Sequence, residues 1–286
     1  MISCRGLAAV LAFLSTASAW DAPNYGGFGR LWQETFAGAP GTSPNRGNWN
    51  IIDGNLNVNN EWQTYTSKSR NVQLSGGQTL QIVPWRDGSA LRGWTSGRME
   101  SNYLVMPFAG KLTRVEAAVR FGGNPTDRKQ GIWPAFWMLG NSIRNGVPWP
   151  SCGEIDIMEA INGQLTGYGT IHCNVNPGGI CNEGYGLGAS VGIPDQSWHT
   201  WRLEIDRRPA NWLDQTISWY IDGRLFHQIR GNRINNFDVW ASLCHSPLYV
   251  ILNLAVGGNW PGAPNGNTLD GYGSMLEVGY VAHYCT

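Results

Sequence analysis

Gly153-Glu154-Ile155-Asp156-Ile157-Met158-Glu159-Ala160 is the stretch from which the rest of the chain can be read. Isoleucines alternate with acids, the period-two pattern of a strand whose successive side chains point to opposite faces. Ile155 and Ile157 therefore face a core, while Glu154 and Asp156 face away from it. Glu159 breaks the parity. It lies three residues beyond Asp156 and in a regular strand falls on the Ile side, where an unpaired carboxylate costs several kcal/mol. A β-bulge between Asp156 and Glu159 removes the conflict, because one extra residue returns Glu159 to the face of the other two acids.

Three carboxylates in a row have little structural use. With the bulge, Glu154 and Glu159 are effectively four positions apart, about 13 Å between Cα atoms. Side chains leaning together on a concave sheet bring the carboxyl groups to roughly 5 to 6 Å. Retaining glycosidases use that separation, whereas inverting ones leave about 6.5 to 9.5 Å for a water. Ionising all three groups at such range is costly, so at least one pKa rises toward neutrality. The plainer alternative is a polar strand face paired with Lys or Arg across the sheet; perturbed carboxylates, however, cluster at functional sites. A Ca²⁺ held by the same acids is a third reading, disfavoured because consecutive positions on a flat strand do not wrap an ion.

The beginning of the chain reads as a secretory leader over residues 1–19: Arg5, an apolar run from Leu7 to Leu14, and Ala17-Ser18-Ala19 as a cleavage site. The run is too short to span a membrane. The expected mature chain, residues 20–286, is a soluble, secreted single domain with 19 basic and 20 acidic side chains once Arg5 is removed. That balance gives neither nucleic acid nor an anionic membrane a reason to bind. Cys4 leaves with the leader, and Cys152, Cys173, Cys181, Cys244 and Cys285 remain. In an oxidising compartment most should pair. Cys173 with Cys181 is the natural local pair; Cys244 with Cys285, leaving Cys152 over, is an assignment the spacing leaves open.

The composition holds 38 Gly and 15 Trp, more Trp than either Tyr (10) or Phe (8). A flat indole with a polar edge suits the C–H face of a sugar ring, and simple core filling is the other use of so many. The chain in order supplies short strands. Leu31 to Phe36, Thr79 to Trp85, Trp94 to Tyr103 and Val115 to Phe121 come first. Gly131-Ile132-Trp133-Pro134-Ala135-Phe136-Trp137-Met138-Leu139-Gly140 follows, with Trp133 and Trp137 on one face. Beyond the acids come Tyr168 to Cys173, which carries His172, then Trp201 to Asp206 and two runs joined by Asp222-Gly223, a strong hairpin signal. Phe237 to His245 reads as a short helix, Leu248 to Val256 as a strand buried on both sides, and Val278 to Tyr284 as the closing strand. Asn59-Asn60-Glu61-Trp62 ends an asparagine-rich segment that suits either sugar hydroxyls or plain loops. Ten or more short strands with little helix predict an all-β fold, an antiparallel β-sandwich or jelly roll with a concave cleft for a polymer.

Other motifs are weaker. Gly188-Ala189-Ser190-Val191-Gly192 matches the G-x-S-x-G nucleophile elbow, yet Ile193-Pro194 denies it the helix that must follow. The histidines show no zinc spacing. His172 is of interest if it reaches the cleft; a hydrogen-bonded core histidine is the alternative.

Several stretches resemble glycoside hydrolase family 16, the laminarinase-like endo-β-1,3(4)-glucanases. They are Asn59-Asn60-Glu61, Thr95-Ser96-Gly97-Arg98, Trp133-Pro134-Ala135-Phe136-Trp137, Glu154 to Glu159, Gly169-Thr170-Ile171-His172 and Leu252 to Gly262. The resemblance implies a concanavalin A-like jelly roll and retaining double displacement. Glu154 would be the nucleophile, Glu159 the general acid/base, and Asp156 the residue that orients the nucleophile. Trp137, Trp149, His172, Trp133, Arg98 and Asn60 would bind substrate. The bulged spacing resembles the 1,3-glucanases. Where such proteins close on Val-Asp-Tyr-Val, with the Asp on a structural Ca²⁺, this chain reads Val278-Gly279-Tyr280-Val281, so no metal or other cofactor is expected. The implied protein is a secreted monomeric hydrolase of β-1,3-glucan and mixed-linkage glucan. A transglycosylase, and a non-catalytic β-glucan-binding protein on the same scaffold, are the rivals.

Overall fold

Leu248–Val256 is buried at every position, as a strand with neighbours on both edges and cover on both faces must be. Around it the computed structural model, which describes residues 20–286, places strands β1 (Gly29–Glu34), β2 (Trp49–Ile51), β3 (Gln63–Tyr65), β4 (Val72–Leu74), β5 (Leu80–Ile82), β6 (Trp85–Arg86), β7 (Trp94–Ser96), β8 (Arg98–Val105) and β9 (Leu112–Phe121). They continue as β10 (Ile132–Gly140), β11 (Glu154–Glu159), β12 (Thr166–His172), β13 (Leu187–Gly192), β14 (His199–Asp206), β15 (Thr216–Ile221), β16 (Arg224–Arg230), β17 (Leu248–Val256) and β18 (Leu276–Cys285). Helices α1 (Gly231–Ile234) and α2 (Phe237–Cys244) lie between β16 and β17. The expected leader, residues 1–19, lies outside the described residues. No helix among the described residues is long and apolar enough to cross a membrane.

The strands form an antiparallel β-sandwich of jelly-roll type, as expected. The front sheet runs β13-β12-β11-β10-β17-β8-β2, and the back sheet β16-β15-β14-β9-β18-β5-β4 with β1 also on β18. A small third sheet, β3-β7-β6, contains a parallel pair, β3 with β7. One core fills the space between the large sheets, with Trp49, Trp94, Trp201, Trp219 and Trp240 fully buried. Two of these indoles press on glycines of β12. A Cβ at Gly167 would lie 2.2 Å from the Trp201 ring, and one at Gly169 would lie 2.5 Å from that of Trp219. The Trp219 indole N–H also donates to the Asp156 carbonyl at 2.7 Å, so the back sheet grips the strand that carries the acids.

On the other face of the back sheet the segment after residue 20 packs Trp20, Tyr25 and Phe28 against Ala118, Tyr280, Ala282 and Tyr284. Glu116, fully buried there, accepts from Tyr25 Oη at 2.8 Å, Tyr280 Oη at 2.6 Å and Arg202 Nε at 2.7 Å.

Local chemistry explains several element ends. Asp222 and Gly223, both at positive φ, turn β15 into β16, the twist a tight hairpin requires. The Asn236 side chain caps α2 by accepting from the Val239 amide at 3.2 Å. The expected strand from Thr79 to Trp85 is two, because Pro84 between β5 and β6 offers no N–H to a ladder. That from Trp94 to Tyr103 is likewise divided at Gly97, where a Cβ would strike Val72. β2, β3 and β4, short strands in a turn-rich region, carry too few residues for their alternation to register. The G-x-S-x-G match lies within strand β13 rather than on a strand-to-helix turn, so it has no elbow geometry. Cys173 and Cys181 are bonded. The Cys244 with Cys285 pairing is overturned: both are free, as is Cys152, since Cys244 is buried in α2 whereas Cys285 ends β18 between β1 and β9.

The grip on β12 yields a prediction. Gly169→Ala drives a methyl into the Trp219 ring and lowers stability by about 1–3 kcal/mol, read as a fall in the urea midpoint at unchanged m-value. An unchanged midpoint would mean that the sheets are not in close contact there.

Candidate active site

The bulge that the acids require is present. Along β10, Glu154 pairs with Leu139, Asp156 with Trp137 and Glu159 with Ala135. Along β12 they pair with His172, Thr170 and Tyr168, with the register shift between Asp156 and Glu159. Six residues of β11 thus oppose five of each neighbour, and the three acids share one face with Trp137 and His172. Ile155, Ile157 and Met158 turn into the core. β17 and β8 extend that face with Asn253, paired to Ala135 and to Arg98.

Each acid has its own partners. Trp149 donates from Nε1 to Glu154 Oε2 at 3.1 Å, and Trp133 from Nε1 to Glu159 Oε1 at 2.8 Å. Asp156 is 3% exposed, and its Oδ2 has no hydrogen-bond partner. His172 Nε2 faces that oxygen at 3.4 Å and Glu154 Oε1 at 4.0 Å. On its other side, His172 Nδ1 lies 2.6 Å from Glu183 Oε2. The Trp149 and His172 rings lie 5.8 Å apart. Trp137 donates from Nε1 to Asn253 Oδ1 at 2.6 Å, and the Arg98 guanidinium lies over its ring. Arg98 is paired in turn with Glu100 at 2.8 Å. Asn60 stands on the rim, donating to Asn259 Oδ1 at 2.7 Å.

Burial raises the pKa of all three acids, opposing ionisation. For Asp156, raised well above the usual carboxylate range, the charges of Glu159 and Glu154 add to burial and His172 opposes it. Glu154 is raised by burial against His172 and the Trp149 hydrogen bond. Glu159 is pushed up to about 7, again by burial first, with the Trp133 hydrogen bond opposing and the charge of Glu154 adding. Burial alone would lower His172, yet the Glu183 hydrogen bond and the charges of Glu154 and Asp156 outweigh it and push the imidazole up to about 10.

All the expected site residues lie on or beside this face, including His172, which is not a core histidine. Sequence reading missed Glu183, a lone acid in a glycine-rich loop with no motif around it. It also missed Trp260, whose ring meets the edges of Trp133 at 5.5 Å and Tyr168 at 5.0 Å. Its place in the turn Gly257-Gly258-Asn259-Trp260-Pro261 was the available signal. Among the described residues Glu154, Asp156 and His172 form a group whose possible ligand atoms converge within 4.8 Å. The Asp that carries a structural Ca²⁺ in the resembled proteins has no room at Gly279, where a Cβ would lie 2.7 Å from the Trp20 ring. An indole fills the space that a carboxylate would need.

Comparison with known proteins gives the following. The profile of glycosyl hydrolases family 16 matches residues 54–272. A glucan endo-1,3-beta-glucosidase A1 of Niallia circulans is 29% identical over 92% of this chain, which spans 38% of that relative's length. A beta-glucanase of Rhodothermus marinus is 30% identical over 79% of this chain and 74% of its own. Among solved structures, an endo-1,3-beta-glucanase from Streptomyces sioyaensis superposes with a TM-score of 0.86 at 34% identity, covering 93% of this chain and 99% of that one.

The Glu159 environment has a thermodynamic consequence. Its native pKa of about 7 exceeds the free value of 4.5, so the folded state binds the extra proton between those values and stability falls as pH rises through that window. Above about 7 the cost of carrying the buried charge is complete. Glu159→Gln removes it while leaving an acceptor for Trp133. The variant should match wild type near pH 4 and exceed it by on the order of 3 kcal/mol at pH 8, followed by calorimetry. A difference that does not grow with pH would contradict this.

Proposed function

The chain belongs to glycosyl hydrolases family 16, and from that premise we propose that it is a retaining endo-β-1,3-glucanase that cleaves laminarin-type polymers and also mixed-linkage β-1,3-1,4-glucan. The observation that carries the reading is the row Glu154, Asp156, Glu159 on one face of a bulged strand, with each terminal acid held by an indole N–H. The endo-1,3-β-glucanase relatives support it from outside.

In this mechanism Glu159, which keeps its proton to about pH 7, donates it to the leaving glycosidic oxygen. Glu154, ionised and oriented by Trp149, attacks the anomeric carbon from the other side. Asp156 lies between them, where its oxygen and the His172 imidazole restrain the nucleophile. Glu159, now a carboxylate, draws a proton from water as that water displaces Glu154 from the glycosyl-enzyme. Trp133, Trp137, Trp149 and Trp260 offer indole faces to successive sugars, and Arg98 and Asn60 polar atoms to their hydroxyls. The leader-like pattern of residues 1–19 supports secretion, with the glucan as partner and a monomer as the working unit.

The test is digestion of laminarin, lichenan and cellulose, with product size and anomeric configuration followed by NMR. Laminarin and lichenan should shorten, with β-anomers released first, and the alkaline limb of kcat/KM should lie near pH 7. Glu154→Gln and Glu159→Gln should each lose about a thousandfold in kcat. Products longer than the substrate would instead favour a transglycosylase. Binding without cleavage by wild type would leave a glucan-binding protein.

A further inference from the structure

Glu183 stands outside the row of acids and carries no role in the mechanism above, yet it is among the most deeply placed charges of the described residues. Its side chain is wholly buried. Its Oε1 accepts from the Cys173 amide at 2.8 Å and its Oε2 faces His172 Nδ1 at 2.6 Å. Among the described residues no Lys or Arg pairs with it; His172 is its ion-pair partner. A buried carboxylate without a cation is costly, and the one group placed to supply that cation is the His172 imidazole.

The loop around Glu183 is fastened at several points. Cys173, the residue after β12, is bonded to Cys181. The Glu183 backbone exchanges hydrogen bonds with Gly178, and Ser151 Oγ, beside Trp149, donates to the Asn174 carbonyl at 2.6 Å. His172 is thereby held from outside the site. Its remaining nitrogen stands 3.4 Å from an Asp156 oxygen that has no hydrogen-bond partner. Both ring nitrogens face carboxylates, which an imidazole can satisfy on both sides only with both nitrogens protonated.

We propose that Glu183 is a positioning residue: through Nδ1 it fixes His172 as an imidazolium whose Nε2–H is directed at Asp156 and the nucleophile Glu154, with the Cys173–Cys181 loop as its clamp. This rests on the reading of Glu154 as nucleophile and adds a fixed positive charge behind it. The charged groups facing the ring are Glu183 from the loop and Glu154 and Asp156 from β11. Without the cation the charges left around Glu154 and Asp156 are each other, Glu159, Glu183 and, as the one remaining cation acting on Glu154, Arg98, so Glu154 becomes harder to ionise. The imidazole's elevated pKa, about 10, agrees with this arrangement.

Two measurements test it. In wild type, ¹⁵N NMR of the His172 ring should show both nitrogens protonated at pH 8, whereas a ring that titrates near its ordinary value would overturn the proposal without reference to activity. Glu183→Gln, which keeps an acceptor for Cys173 but removes the charge, should make the ring neutral at pH 8. On laminarin it should lower kcat about tenfold, the low end of the loss when a metal-ligating imidazole loses its outer partner, leave KM within about twofold, and move the acidic limb of kcat/KM to higher pH. Glu183→Asp should restore part of the loss. If wild type does not cleave laminarin, the glucanase reading fails and the NMR result still judges Glu183. If wild type cleaves and Glu183→Gln changes only thermal stability, the positioning role fails and the glucanase reading stands.

Discussion

One extra residue in β11, between Asp156 and Glu159, is the constraint on which the site depends. Without it a period-two strand would bury Glu159 beside Ile155 and Ile157 and turn Met158 out among the acids. With it the strand must be held against its own irregularity. That hold comes from across the sandwich: Trp219 of β15 hydrogen-bonds the Asp156 carbonyl and lies against Gly169 of β12, where no side chain could fit. The flat contact between sheets, ordinary in a sandwich core, here also locks the register of the acids.

The second constraint is electrostatic. Three acids on a poorly hydrated face cannot all be charged, and burial is the largest influence on each. Trp133 and Trp149 lower the cost at the two ends, while His172 meets the middle. The ends consequently differ. Against its burial Glu159 has the Trp133 indole and, weakly, His172, while the like charge of Glu154 adds to the cost; Glu154 has the imidazole foremost, the Trp149 indole and Arg98. Unequal neighbours around similar carboxylates are how one strand supplies both an acid and a nucleophile.

Much of this was legible in the residues. Alternation in Glu154 to Asp156, its failure at Glu159, the apolar run of β17, and Asp222-Gly223 led to a bulged strand, a buried strand and a hairpin, all present. Where reading failed, the missing information was non-local. Pro84 and Gly97 divide strands according to which sheet each half joins. The pairing of Cys244 with Cys285 followed from counting thiols, and counting does not know that one sits in a helix and the other at a strand end.

The sequence by itself determined which face of β11 carries the acids, because side-chain direction in a strand is a matter of parity and a buried carboxylate is too costly to leave unpaired. It also determined the all-strand architecture and the local Cys173–Cys181 bond. Only the tertiary structure decided what stands behind the acids. Glu183 is eleven residues from His172 in a loop without periodicity, Trp219 comes from the opposite sheet, and Trp20 fills the space beside Gly279 from the far end of the described chain. Such contacts depend on how the sheets stack and where the loops are fastened, and no local pattern encodes a partner that distant.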